Sequence, residues 1–278
     1  MSRSNRKNIA QETLNVLQKG SYTSPLGREI NFREIQDLAV IETKLYTPTE
    51  SDVLIKNRAS TNSFQTKIEV SGDTTLDAVR KLIKEGHTDV VCLNFASAKN
   101  PGGGFLGGSQ AQEESIARAT GLYPCLLNAT EYYQTNRNTR SCFYTDYIIY
   151  SPKVPIFKNE EGMLLPTLAV TSIITAPAVN TGVVKRNEVH RLSEVETVMR
   201  RRIEKVLSIA LENKNDVIVL GAWGCGVFQN NPDDVARYFK EIISDKFAND
   251  FRKIVFAVYA NNERFIKPFY EEFGNSPK

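Results

Sequence analysis

The apolar run TDVVCLNFA at 88–96 reads as a buried strand, and the chain then meets Pro101, three consecutive glycines (Gly102, Gly103, Gly104) and a second pair (Gly107, Gly108). Glycine reaches positive φ cheaply but loses more conformational freedom on folding than any other residue. Five glycines in seven residues at a strand-to-helix junction therefore cost stability unless something docks on their backbone. The segment SIARATGL that follows reads as the first turns of a helix, with Glu113 and Glu114 at or near its start. Loop amides and the positive end of a helix together cradle an anion or a diphosphate. A plain flexible loop, ahead of a helix whose acids complement the dipole, would look the same, and the glycines alone do not separate the two.

What surrounds this stretch narrows its chemistry. The chain has 278 residues, 41% of them hydrophobic, which suits one domain with a sizeable core. A net charge of +3 is too mild to argue for nucleic acid, and no specific nucleic-acid partner is expected. No apolar run is long enough for a membrane span. MSRSNRKN leads into no h-region, so it reads as a frayed basic tail rather than a secretory signal. Cys92, Cys125, Cys142 and Cys225 show no metal spacing and read as reduced thiols in a cytoplasmic protein. Only His87 and His190 are present, both read as surface residues. That scarcity argues against a Ser-His-Asp triad, a Cys-His dyad or a His-rich zinc site, and leaves carboxylates as the acid–base groups.

Along the chain, 8–18 reads as an amphipathic helix stopped by Gly20, and SYTSPLGREINF as a turn and strap. Residues 1–50 read as an accessory segment on a main domain at 51–278, with no flexible linker between them. Beyond it, KIEVS is a strand, 74–84 a helix, and 112–127 a helix interrupted near Gly121 and Pro124. Residues 128–146 look irregular. YIIYSPKVPIF is a strand broken by Pro152, and LAVTSIITAPAVN a further strand ending at Pro177. Apolar residues at helical spacing run through 186–213. DVIVLGAW is a strand, 233–245 a helix, and KIVFAVYA the last strand before a closing helix. This alternation predicts an α/β layer sandwich. The run Arg200, Arg201, Arg202 reads as a solvated helix face rather than a polyanion contact.

A second glycine loop repeats the first arrangement. After Val217 to Leu220 come Gly221, Gly224 and Gly226, then Asn231 and Pro232 as a helix start with Asp233 and Asp234 in its first turn. Two such loops at the carboxyl ends of strands converge on one crevice in an open α/β sheet. Neither carries the Gly-Lys-Ser/Thr of a P-loop.

NPGGG, a short spacer and QEE resemble the signature of poly(ADP-ribose) glycohydrolases of the bacterial type, and GAWGCGVFQN resembles that family's diphosphate loop. TAPAVN at 175–180 and the N-terminal helix and strap also resemble family sequence, whereas 128–165 matches nothing assignable. The resemblance implies a macrodomain-like three-layer sandwich with a central mixed sheet and an N-terminal helical extension. It implies exo-acting hydrolysis of ribose–ribose bonds in poly(ADP-ribose), releasing ADP-ribose. By the motif match, Glu114 is the general acid and then the base for water, and Glu113 binds the distal ribose hydroxyls. Asn100, Gly102, Gly103, Gly104 and Gln112 complete that pocket. The backbone of Gly224, Cys225, Gly226 and Val227 would hold the diphosphate, and Phe228 would pack on the distal ribose. Asp73 stands where macrodomains carry an acidic adenine contact, or else caps the following helix.

Adjacent helix residues project about 100° apart, so the two glutamates must do different jobs. A helix N-terminus favours ionised carboxylates, while burial under a ligand and repulsion within the pair oppose that. A hydrolase of mono-ADP-ribosylated protein or of a small ADP-ribose derivative, a non-catalytic ADP-ribose-binding macrodomain and a nucleotide-binding regulatory protein are the competing readings. The QEE motif argues against a reader, which needs no acid. The expected partners are poly(ADP-ribose) or ADP-ribose and ADP-ribosylated proteins, with no metal, no cofactor, no membrane and a monomeric state.

Overall fold

A computed structural model describes residues 1–59, 63–259 and 262–274. Its strands are β1 (Ser21–Thr23), β2 (Glu29–Asn31), β3 (Lys44–Tyr46), β4 (Lys67–Ser71), β5 (Val90–Phe95), β6 (Ile148–Lys158), β7 (Leu164–Ala176), β8 (Val217–Leu220) and β9 (Lys253–Ala257). Its helices are α1 (Arg3–Lys19), α2 (Arg33–Ile41), α3 (Pro48–Asn57), α4 (Thr75–Lys84), α5 (Gln112–Ala119), α6 (Leu122–Asn128), α7 (Thr130–Asn138), α8 (Thr181–Asn187), α9 (Glu194–Glu212), α10 (Pro232–Lys246) and α11 (Lys267–Phe273). Ala260, the end of the run KIVFAVYA, lies outside the described residues.

Seven strands form one sheet in the order β3-β6-β7-β5-β8-β9-β4. β7, β5, β8, β9 and β4 are parallel, and β6 is antiparallel to both its neighbours. Side chains alternate between faces along a strand, so each central strand feeds two cores. Val91, Leu93, Ile218 and Leu220 pack with Met199, Ile203 and Phe239 of α9 and α10. Val90, Cys92, Val217 and Val219 pack with Val79, Ile116 and Leu126 of α4, α5 and α6. A strand buried on both faces must be apolar throughout, which is why these runs stand out in the sequence. The architecture is a macrodomain-like three-layer sandwich.

Several expected elements differ. Residues 128–146 are not irregular: 130–138 form α7, which buries Tyr132, Tyr133 and Asn136. β6 is not broken at Pro152 but bulges between Ser151 and Val154, where a residue without an N–H is tolerated. The helix at 112–127 stops at Thr120 because Gly121 turns its N–H to Pro155 O at 2.9 Å, and Pro124 sits inside α6. The helix expected over 186–213 begins only at Glu194. Val189 and Leu192 continue its apolar periodicity but are exposed, and Glu188 turns away to accept Cys142 N–H at 2.8 Å and Ser141 Oγ at 3.0 Å.

Residue 50 is no packing boundary, since β3 is the edge strand of the main sheet and residue 50 lies within α3. Nor is the arginine run a solvated face throughout. Arg202 is buried and donates to Asp146 at 2.9 Å, to Pro177 O at 3.0 Å and to Phe143 O at 2.6 Å. It thereby fixes the segment that carries Tyr144.

Candidate active site

α5 opens against the end of β5, and its first residue makes the join. Gln112 accepts Phe95 N–H at 2.8 Å and donates to Leu93 O at 2.7 Å and Thr75 Oγ1 at 3.1 Å. Although Gln112 also lines the groove described below, its amide is committed to holding α5 on the sheet.

That placement drives Glu113 inward, to 3% exposure. Its Oε2 accepts Ser97 N–H at 2.6 Å, and Asn94 Nδ2 stands 3.3 Å from Oε1. Asn94 is itself buried and reaches Thr175 Oγ1 of β7 at 3.2 Å. Burial is the strongest influence on the Glu113 carboxyl; with repulsion from Glu114 it outweighs the Ser97 and Asn94 hydrogen bonds and pushes the group up to about 8. Burial thus favours the protonated form of Glu113. Glu114 is half-buried, faces the groove and accepts Gly104 N–H at 2.9 Å through Oε1. The two glutamates are adjacent in the chain, but their carboxyls do not share an environment.

The first glycine loop lies beneath this pair. Gly102 and Gly103 have φ of +67° and +60°. A side chain on Gly103 would collide with the Glu114 carboxylate and crowd Glu113. Gly103 N–H is taken by Asn100 O at 3.0 Å. Of the glycines read from sequence as ligand contacts, Gly103 packs against the glutamates, Gly104 gives its N–H to Glu114 and Gly102 backs onto Phe105 and Ala117; none of the three lines the groove, whereas Asn100 does.

The loop after β8 is more open. Among the described residues the amides of Gly224, Gly226, Val227 and Phe228 donate to no protein acceptor, while Cys225 N–H is spent on Ala222 O at 3.1 Å. Cys225 is buried, its thiol pushed up by that burial, and it does not line the groove. Buried Asn230 staples the loop, donating to Gly224 O at 3.1 Å and Val179 O at 2.9 Å. Gly224, Gly226, Val227 and Phe228 line the groove, with Phe228 packed near Tyr144 at 6.2 Å between ring centroids.

The groove encloses about 1060 Å³. Its remaining walls come from the start of α4 (Thr74, Thr75, Asp77), from Glu160 in the β6–β7 turn, and from Val258 and Tyr259 after β9. Asp73 does not cap α4 and does not line the groove. It accepts Lys81 Nζ at 2.6 Å away from the groove, and the cap of α4 is Thr74, which accepts Asp77 N–H at 3.2 Å. Asp77, one turn on, is the carboxylate at that wall. Among the described residues no cluster of three His, Cys, Asp or Glu side chains is set to hold a metal, and no helix is long and apolar enough to cross a membrane.

Sequence reasoning missed Asn94, Ser97 and Thr175, which support Glu113. A lone Asn in an apolar strand was the available signal for the first. It also missed Arg3 and Arg6, read as tail residues: α1 begins at Arg3, and their guanidiniums donate to Gly107 O at 2.9 Å and Gly108 O at 2.8 Å.

A macrodomain-like sheet whose groove carries two adjacent glutamates, one buried and one facing the cavity, fits a glycosidase, since a reader has no use for a carboxyl poised in the groove. The chain belongs to the microbial-type poly(ADP-ribose) glycohydrolases, and its residues 10–159 match the model of the microbial-type PARG catalytic domain. Among solved structures it is similar to the poly(ADP-ribose) glycohydrolase of Thermomonospora curvata, with 39% identity over 97% of this chain and 100% of that one, at a TM-score of 0.93. The same enzyme bound to the inhibitor ADP-HPD matches at 39% identity over 98% of each chain, with a TM-score of 0.89. The Deinococcus radiodurans enzyme in complex with ADP-ribose matches at 42% identity over 85% of this chain and 96% of that one, with a TM-score of 0.81. No curated protein matches the chain.

Proposed function

We propose that this chain removes ADP-ribose from the free end of poly(ADP-ribose), with Glu114 as general acid and then base. The observation that carries the reading is the split pair: Glu113 buried on the Ser97 amide, Glu114 in the groove on the Gly104 amide. Cleaving a ribose–ribose bond requires a proton for the departing oxygen and support for an oxocarbenium-like centre. Glu114 reaches the groove and supplies that proton, then takes one from the attacking water. Glu113, with Asn100 alongside, meets the distal ribose hydroxyls.

The four open amides of the β8–α10 loop suit a diphosphate, whose oxygens replace the water they would otherwise bind. Phe228, backed by Tyr144, packs on the distal ribose and sets its tilt. Val227 projects at the groove, 79% exposed, which suits a side chain that closes over the far side of that ribose and leaves room for a chain end only. The buried free thiols Cys92, Cys125 and Cys225 suit a reducing, cytoplasmic setting.

The test is incubation with poly(ADP-ribose) and, separately, with mono-ADP-ribosylated protein, followed by chromatography of the products. Free ADP-ribose from the polymer is expected. Release from the mono-modified protein alone would move the substrate to that class.

A further inference from the structure

Three successive carbonyls of the first glycine loop each accept from a different guanidinium. Arg3 Nε donates to Gly107 O at 2.9 Å, Arg6 Nε to Gly108 O at 2.8 Å, and Arg118 Nη1 to Ser109 O at 2.7 Å. Two of these arginines belong to α1 and the third to α5, whose first turn carries the glutamates. Arg118 also holds the Gln110 side chain and is itself buried, and Thr13 of α1 donates to Arg118 O at 2.5 Å. Among the described residues none of the three forms an ion pair with a carboxylate; besides the loop carbonyls, Arg6 donates to Met1 O at 2.7 Å and Arg118 to Ser115 Oγ at 3.4 Å.

The packing agrees. Phe105, fully buried in the same loop, sits with Ala10 of α1 and Ala117 of α5. Gly108 has a φ of +74°, and a side chain there would collide with the backbone of Arg3. Only glycine lets α1 approach this closely. A loop with five glycines has many conformations of similar energy, yet Gly103 and Gly104 must meet Glu114 within a few tenths of an ångström.

We propose that α1 is a clasp on the catalytic loop, and that Arg3 and Arg6, with Arg118, are positioning residues for Glu114. They touch no substrate. They fix the carbonyls of 107–109, and so the register in which Gly104 N–H orients the Glu114 carboxylate. The N-terminal helix is then part of the catalytic apparatus rather than a decoration on it. The inference rests on the proposed function only in calling the loop catalytic.

The test uses the full chain with Arg3→Ala/Arg6→Ala, Arg6→Lys, and Lys7→Ala as an α1 control. The double variant should lose about tenfold or more in kcat on poly(ADP-ribose), because small misplacements of a reacting group cost heavily. Its ADP-ribose Kd should stay within about threefold, since positioning acts on the transition state more than on binding. Amides at 103–110 should exchange hydrogen faster while the melting temperature stays near that of wild type. Arg6→Lys should recover part of kcat, and Lys7→Ala should match wild type. The clasp is overturned if kcat stays within about twofold of wild type, or if kcat falls only in step with global unfolding while loop exchange is unchanged. If wild type itself does not cleave the polymer, the proposed function fails, and loop exchange in the same variants still decides whether the clasp exists.

Discussion

Glu113 shows how position along one helical turn divides two identical side chains. Its carboxyl is raised to about 8, chiefly by burial, against an ordinary value near ~4.3. The folded state therefore binds an extra proton between those limits. The stability this contributes is fully present below the ordinary value and is lost as pH rises toward 8. Glu113→Gln keeps the shape and the acceptor for Ser97 N–H but removes the titration. The variant should gain stability relative to wild type between about pH 5 and about pH 9, measured as melting temperature across that range. Parallel curves for the two proteins would show that Glu113 is ionised in the folded state. The QEE motif made the pair legible in the sequence, but the roles of its supports were not. Asn94 and Thr175 meet only because β5 and β7 are parallel neighbours, 81 residues apart in the chain.

At the scale of elements, the apolar runs of β5, β8 and β9 announced themselves because both their faces are buried. α7 did not, because a polar helix that buries two tyrosines and an asparagine has no apolar stripe to read. Asp73 misled because an acid beside Thr-Thr suggests a cap, and Thr74 took that position instead. The β8–α10 loop was legible almost in full: Asn231, Pro232 and two aspartates marked the start of α10. Phe228 sits at the end of that loop, half-buried against the core. Phe228→Ala should cost about 2 kcal/mol of stability or less, below the usual range for a fully buried ring. Turnover should fall about 10²-fold, because the distal ribose loses its seat. Comparing kcat/KM with the melting temperature separates these effects, and a rate loss no larger than the stability loss predicts would make Phe228 an ordinary packing residue.

For the molecule as a whole, two glycine loops from separate strand ends converge on one groove, and the N-terminal segment closes around the first of them. α1 was legible as a helix, but its contact with Gly107 and Gly108 was not, because nothing in MSRSNRKN specifies which carbonyls its arginines meet. The groove is lined by the carboxyls of Asp77, Glu113, Glu114 and Glu160, and no metal-binding cluster occurs among the described residues. Activity should therefore survive prolonged dialysis against EDTA, and a loss restored by magnesium or zinc would put a metal into the mechanism.

The central claim is that Glu114, presented by the Gly104 amide, cleaves the terminal ribose–ribose bond. Its most direct test is the early product distribution from long poly(ADP-ribose), for wild type and Glu114→Gln side by side with calorimetric binding of ADP-ribose. Wild type should release monomeric ADP-ribose from the first time points. For Glu114→Gln turnover should be lowered by at least about 10²-fold with ADP-ribose still bound, as removal of a general acid–base group requires. Near-normal turnover in the variant would remove Glu114 from the mechanism, and short oligomers appearing before the monomer would show a groove open at both ends.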